Sequence, residues 1–189
     1  MRRATVVATA GATTFGYLVG SIPVAVIVGR RQGVDPRQAG DANPGYWNLR
    51  ELLGARAAAP VFAGDVAKGA CAGLVGRALA PAGAWGVGYA AVGAAMAGHA
   101  WPVFARFRGG RAILTWSGGM CVLSPVAGSV AVGLFVTVAL TRSFAWGARL
   151  GVFSFPLVQL AVEGRHRVAA TGALMSIIGL RFATAGRRR

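Results

Sequence analysis

A chain of 189 residues that is 55% hydrophobic and only 13% charged cannot build the water-facing surface of a soluble domain, which draws on about 25% charge. The mean hydropathy of +0.57 and the net charge of +15 describe apolar segments joined by basic loops. That charge lies beside the apolar text, where anionic lipid and phosphate are its partners, so nucleic acid is set aside.

The first apolar stretch runs from about 4 to 28. It follows Arg2 and Arg3 and ends at Gly29-Arg30-Arg31. It is too long for a signal-peptide core and lacks a small-residue cleavage site, so it reads as a retained helix bent at Pro23. Further stretches fall at about 57–80, 84–104, 112–124, 126–141, 144–162 and 168–182. The stretches at 4–28, 57–80, 84–104 and 144–162 are long enough to span a bilayer. Ser124-Pro125 divides a shorter pair, and the last stretch is short too. The expected fold is a single all-α domain: a polytopic membrane helix bundle of about seven spans, with short or re-entrant polar loops on the cytoplasmic side.

Orientation follows from the arginines. An odd number of spans puts Arg30, Arg31, Arg37, Arg50, Arg56, Arg106, Arg108, Arg111, Arg142, Arg149 and the tail Arg187-Arg188-Arg189 together, against Arg2, Arg3, Arg77, Arg165 and Arg167. The richer side is the cytoplasmic one. Gly16-x-x-x-Gly20 and Gly69-x-x-x-Gly73 put glycines on one helix face, where backbones can approach closely. Cys71 and Cys121 lie inside apolar stretches with no ligand at metal spacing, so the sequence calls for neither a disulfide nor a zinc site.

Polar segments interrupt this pattern on the cytoplasmic side. Gly40-Asp41-Ala42-Asn43-Pro44-Gly45-Tyr46-Trp47-Asn48-Leu49-Arg50 reads as a tight hydrogen-bonding loop, tolerated near membrane depth only where protein or water covers it. Asp41 there either sits near a bound anion or caps the short helix that follows. Arg106-Phe107-Arg108-Gly109-Gly110-Arg111 precedes a helix; paired glycines can offer successive N–H groups to an anion, and the helix dipole adds to them. The bland alternative is a basic turn. Asp65 and Lys68 lie three apart on a helix and pair either as structure or as a substrate contact. His99 stands just before Trp101-Pro102. Together these segments describe a basic, glycine-lined phosphate site beside an apolar bundle suited to an acyl chain.

The blocks Gly20-Ser21-Ile22-Pro23, Gly40-x-x-Asn43-Pro44-Gly45-x-x-Asn48, Asp65-x-x-Lys68-Gly69, Gly98-His99-x-Trp101-Pro102-Val103-Phe104 and Arg108-Gly109-Gly110-Arg111 occur in this order. In sequence and spacing they resemble the PlsY-type acyl-phosphate:glycerol-3-phosphate acyltransferases of bacterial inner membranes. The resemblance implies acyl transfer from acyl phosphate to glycerol 3-phosphate, or to a related phosphorylated alcohol, in the lipid bilayer, with no metal and no cofactor. It implies catalytic roles for Asp41, Asn43, Asn48 and His99. It implies substrate or phosphate contacts from Ser21, Gly45, Arg50, Lys68, Arg108, Gly109, Gly110 and Arg111.

The chain also departs from that pattern. Asp41 stands where the family has serine, Ala42 where it has glycine, and Tyr46-Trp47 where it has Ala-Thr. The family's arginine comes one residue early as Arg50, with Glu51 in its place. The C-terminal His-Arg-x-Asn motif aligns by topology with Arg181-Phe182-Ala183-Thr184-Ala185, which lacks both His and Asn, and is read as lost. These departures leave a second reading open: an impaired paralogue that binds phosphate or lipid head groups without turnover.

Overall fold

A computed structural model describes residues 2–185 and contains only helices and loops among them. In chain order the helices are α1 (Arg2–Gly20), α2 (Val24–Arg31), α3 (Tyr46–Leu53), α4 (Ala55–Leu79), α5 (Gly86–Ala100), α6 (Ile113–Leu123), α7 (Pro125–Thr141), α8 (Phe144–Glu163) and α9 (Arg165–Ala185). A single 3₁₀ turn, Val103–Ala105, follows α5.

The first stretch is two helices rather than one bent one. Pro23 has no N–H to return to Val19, and the chain breaks at Ser21-Ile22-Pro23 before restarting at Val24. The third stretch also stops early. Its helix ends at Ala100, because Trp101 precedes Pro102 and leaves helical backbone. At 164 a single glycine with φ +81° separates α8 from α9, so the polar run after Glu163 is the first turn of a helix and not a loop.

Close contacts give the directions of the helices. A Cβ on Gly16 or Gly20 would strike the carbonyls of Ala91 and Ala95, so α1 and α5 run parallel with backbones touching. Gly69 meets the Thr115 carbonyl and Gly73 that of Gly119, which sets α4 along α6. Both glycine pairs expected from sequence therefore serve as contact faces. Lys68 lies beside His99 while Gly76 lies against Gly88, so α4 and α5 are antiparallel. Gly147 against Phe135 and Gly151 against Ala131 make α7 and α8 a hairpin. Arg167 over Trp85 and Arg181 over Trp101 run α9 along α5.

From these pairings, α1–α2, α4, α5, α6, α7, α8 and α9 pass alternately between two ends of the bundle. One end gathers Ser21, Asp41, His99, Arg111, Phe144 and Arg181. The other gathers Arg77, Trp85, Ser124, Glu163 and Arg167. Of the arginines grouped from sequence, Arg111 lies at the first end and Arg77 and Arg167 at the second; Arg187-Arg188-Arg189 lies outside the described residues.

The bundle is apolar outside and small or polar inside. On α4 the buried face is Asp65, Lys68, Gly69, Ala72, Gly73 and Gly76, at helical spacing, while Leu74 and Leu79 point outward. Leu140, Phe153 and Leu157 are likewise exposed. Such a surface is at home in hydrocarbon and would aggregate in water. The segment Arg2–Arg31 (α1 with α2) and the helices Ala55–Leu79 and Phe144–Glu163 are long and apolar enough to cross a membrane. In contrast α6, with 11 residues, reaches only about 17 Å at 1.5 Å per residue.

At the far end a closed polar network ties four helices together. Gln159 Nε2 donates to the Tyr89 hydroxyl at 2.9 Å and to Ser124 Oγ at 2.6 Å, and its Oε1 accepts from Thr171 Oγ1 at 2.7 Å. Ser124 Oγ donates to Glu163 at 2.9 Å. Each polar group there has a partner, as a buried network requires.

Candidate functional site

The site is built where helices end. Tyr17 on α1 donates its hydroxyl to the Trp101 carbonyl at 2.9 Å. Ser21, fully buried at the α1–α2 break, lies 3.4 Å from the Val103 N–H. These two contacts join the helix break to the end of α5 and aim His99 at α4. Lys68 Nζ donates to Asp65 Oδ1 at 2.9 Å, and His99 Nδ1 sits 3.4 Å from Lys68 Nζ and 3.5 Å from Asp65 Oδ1. All three side chains are buried, at 2–7% exposure. Ionisable groups at such depth persist only as a compensated set. A cleft opens onto them, walled by Pro23, Val24, Pro44 and Pro102.

The loop 108–111 closes over His99. Gly110 N donates to the His99 carbonyl at 3.1 Å. A Cβ on Gly110 would strike His99 Nε2, and one on Gly109 would strike the His99 carbonyl. The glycines are thus needed for close approach; the left-handed residues here are Arg106, Phe107 and Ala112. The expectation of successive free N–H groups fails in part, because the Gly110 N–H is already spent. The cations remain. Arg111 reaches Asp41 and lies 4.6 Å over the Phe182 ring, and its buried Nε has no hydrogen-bond partner. Thr115 Oγ1, on the first turn of α6, is also buried without a partner. Arg108 is exposed.

Arg181, absent from the sequence-derived site, holds this loop. Its guanidinium donates to the Gly109 carbonyl at 2.6 Å and the Gly110 carbonyl at 3.1 Å. Arg181 stands in the segment that topology aligns with the C-terminal motif, where His and Asn are absent. The signal was the topological alignment itself, which already pointed to this residue.

The loop 33–45 is organised by Asn48. Its Nδ2 donates to the carbonyls of Pro36 and Ala39 at 3.1 and 2.9 Å, and its Oδ1 accepts from the Asp41 N–H at 3.1 Å. Asn48 is fully buried with its amide spent on backbone, which is a positioning arrangement. Asp41 does not cap the next helix. Gly45 holds that N-cap position, while Asp41 Oδ1 accepts from the Asn43 N–H at 3.0 Å and Oδ2 lies 3.1 Å from Arg111. Asn43 in turn accepts from Gly45 N at 2.8 Å through its carbonyl. Ala42, where the family has glycine, still takes φ +57°, a left-handed conformation costing about 1 kcal/mol. We expect Asn48→Ala to strand an N–H and two carbonyls and to cost roughly 1–3 kcal/mol. Asn48→Asp, which faces those carbonyls with oxygen, should be no better. Melting of the detergent-purified variants checks both.

Arg50 is turned away. It lies two residues past Asn48, about 200° around the helix at 3.6 residues per turn. Its guanidinium sits 4.9 Å from the Phe144 ring centroid and 5.3 Å from that of Trp47. The one-residue shift thus moves the arginine to an aromatic shelf that Tyr46, Phe62 and Phe135 extend.

Asp35 anchors the start of the loop. The Arg37 side chain bonded to it at 2.6 Å holds its carboxyl far below the usual carboxylate range. The folded value is the depressed one, so the pair's stabilisation is present above the ordinary value of 3.8 and is lost as pH falls below it. The melting gap between wild type and Asp35→Asn should therefore shrink between pH 6 and pH 3; a constant gap would show the carboxylate charge to be irrelevant.

Among the described residues, an all-helical bundle with a lipid-like outer surface folds two glycine-bearing, arginine-lined loops over a buried Asp–Lys–His set at one end. The glycerol-3-phosphate acyltransferase family profile matches residues 10–188, and the chain belongs to that family. A glycerol-3-phosphate acyltransferase of Rubrobacter xylanophilus is 42% identical over 68% of this chain, and the match spans 64% of that relative's own length. One of Geobacter sulfurreducens is 35% identical over 88% of this chain and 85% of its own. The crystal structure of PlsY (YgiH), an integral membrane glycerol 3-phosphate acyltransferase in its glycerol 3-phosphate form, superposes with a TM-score of 0.81. It has 25% identity and covers 95% of this chain and 90% of its own.

Proposed function

We propose that this chain transfers an acyl group from acyl phosphate to the 1-hydroxyl of glycerol 3-phosphate, giving lysophosphatidic acid at the cytoplasmic face of a bacterial inner membrane. The observation that carries the reading is the buried Asp65–Lys68–His99 set lying directly under the Gly109-Gly110 loop. The helical passes of the bundle lie within the bilayer, and the short α6 is sheltered among the longer helices without spanning it alone.

The donor is a mixed anhydride and already activated, so the protein's work is alignment and charge stabilisation. Arg111 and Lys68 supply cations to the phosphates, and Arg181 fixes the loop that carries Arg111. Asp65 accepts from His99 Nδ1–H, which leaves Nε2, on the side of Gly110 and Pro44, to take the hydroxyl proton. The alkoxide oxygen bonds the acyl carbon, the anhydride C–O bond breaks, and inorganic phosphate departs with the electron pair. The apolar walls Pro23, Val24 and Pro102 keep water from competing as the acceptor. Asn48, Asn43 and Gly45 hold the facing loop, and Ser21 holds the helix break.

The position of Arg50 on Trp47 and Phe144 favours a second reading, a head-group binder without turnover. Purified protein in detergent, given acyl phosphate and glycerol 3-phosphate, decides between them. Release of inorganic phosphate dependent on glycerol 3-phosphate, with lysophosphatidic acid formed in equal amount, supports transfer. Binding of glycerol 3-phosphate without either product supports the second reading.

A further inference from the structure

We propose that the Arg50 guanidinium, held on the rings of Trp47 and Phe144, binds the phosphodiester of an anionic membrane phospholipid at the rim of the bundle. This takes up the head-group contact that Arg50 suggested above and places it outside the acyl-transfer site, on the other side of α3 from Asn48.

The guanidinium carbon lies 4.9 Å from the Phe144 centroid and 5.3 Å from that of Trp47. Tyr46 meets Phe62 edge-on at 5.2 Å, and Phe135 meets Phe144 at 5.3 Å, so the two rings under the cation are themselves braced. Rings hold a guanidinium by its flat face, and its N–H groups lie in its plane and stay unspent. Among the described residues, none of those N–H groups has a hydrogen-bond or ion-pair partner. Glu51 follows in sequence but makes no ion pair with Arg50. By contrast Arg37 has Asp35, and Arg111 has Asp41. Arg50 is a cation fixed in place and short of an anion.

Its surroundings choose the occupant. Trp47 is 38% exposed, and the Tyr46 hydroxyl and the Trp47 indole N–H have no partner among the described residues. Amphipathic aromatics of this kind sit at the level of lipid head groups. Helix α7, which carries Phe135, exposes Val132, Val136 and Leu140, an apolar face along which acyl chains can lie. Arg142, two residues before Phe144, is exposed and adds positive charge. The occupant must therefore present acceptor oxygens and negative charge above, and hydrocarbon below. A phospholipid meets both demands, with two phosphate oxygens for the guanidinium fork. A free phosphate meets only the first. A lipid of net charge minus one is favoured over a choline lipid, whose ammonium would be brought up to Arg50 and Arg142.

The test counts lipids retained by the detergent-purified chain in native mass spectrometry, with dioleoylphosphatidylglycerol and dioleoylphosphatidylcholine offered in equal amounts. Wild type is expected to retain the glycerol lipid in preference by about fivefold or more, the scale of one arginine at a membrane surface. Arg50→Gln should bring the two lipids to near parity. Arg50→Lys keeps the charge without the fork and should hold an intermediate preference, and it serves should Arg50→Gln not fold. Arg149→Gln is the control for net charge, since Arg149 stacks on Trp146 and not on this shelf; it should leave most of the preference in place. Melting in lipid-free detergent shows which variants are folded. No preference in wild type, or one unchanged in both Arg50 variants, overturns the proposal. So does an equal loss in Arg149→Gln, which would make the effect one of overall charge. Displacement of the glycerol lipid by millimolar glycerol 3-phosphate also overturns it, because the shelf would then belong to the substrate site. The readout requires no turnover, so it stands or falls separately from acyl transfer.

Discussion

Replacing either charge in the Asp65–Lys68 pair is expected to abolish acyl transfer and to destabilise the bundle by about 3–5 kcal/mol, the usual consequence of stranding one buried charge. The pair is 2.9 Å apart with side chains 2% and 5% exposed, so water cannot compensate the survivor. The two single variants differ in what they leave. Lys68→Met leaves Asp65 with His99, 3.5 Å away, and keeps one partner. Asp65→Asn leaves Lys68 facing an imidazole at 3.4 Å and no anion at all, so it is the more harmful to folding. The double variant Asp65→Asn/Lys68→Met removes both charges together and should recover most of the lost stability. It should recover no activity, because His99 then lacks the carboxylate that orients it. Thermal melting in detergent and phosphate release, measured on the three variants, separate the two roles. Activity returning with stability in the double variant would make the set a structural ion pair and nothing more.

That distinction was not available from sequence. The spacing Asp65-x-x-Lys68 put both side chains on one helix face, which settled that they pair but not what they pair beneath. His99 is thirty-one positions further on, and only the antiparallel run of α4 and α5 brings it in. Other features were legible because local chemistry dictates them. The apolar stretches, the division at Ser124-Pro125 and the glycine contact faces all follow from one residue's geometry or from its nearest neighbours. Where the reading erred, a proline or a non-local partner was responsible. Pro23 broke a helix rather than bending it. Pro102 ended α5 before the apolar text ran out. Arg50 was assigned to substrate by its motif, but a shift of one residue swings a helical side chain by about 100°, and Trp47 and Phe144 were waiting there. Arg181 was passed over because its neighbours fail the motif; its contact with residues some seventy positions earlier is a tertiary fact.

The second large effect concerns the loop itself. Gly110→Val is expected to lower kcat for acyl transfer by about a hundredfold or more, the scale on which an error of 1 Å in alignment is felt. Its new side chain would meet His99 Nε2 on one side and the Pro44 carbonyl on the other. Both neighbours are fixed, His99 by Gly110's own N–H bond to its carbonyl and Pro44 by the loop that Asn48 braces. Something in the reacting geometry therefore moves, whereas the helices, which do not pass through this contact, stay packed. Arg181→Gln is the contrasting change. It removes the bonds to the Gly109 and Gly110 carbonyls from outside the site, so the loop loosens without being blocked. Substrate can still draw the loop into place, at the expense of binding energy. The expected signature is a KM for glycerol 3-phosphate raised about tenfold or more, with kcat lowered far less, as the loss of one or two charge-assisted bonds predicts. Arg181→Lys keeps the charge but cannot span two carbonyls with a planar fork, and should fall between. Steady-state kinetics on the three variants, with melting as the control for folding, give the comparison. A Gly110→Val enzyme with a normal kcat would show that the loop does not touch the reacting groups, and the reading of His99 as the proton acceptor beneath it would fall with that result.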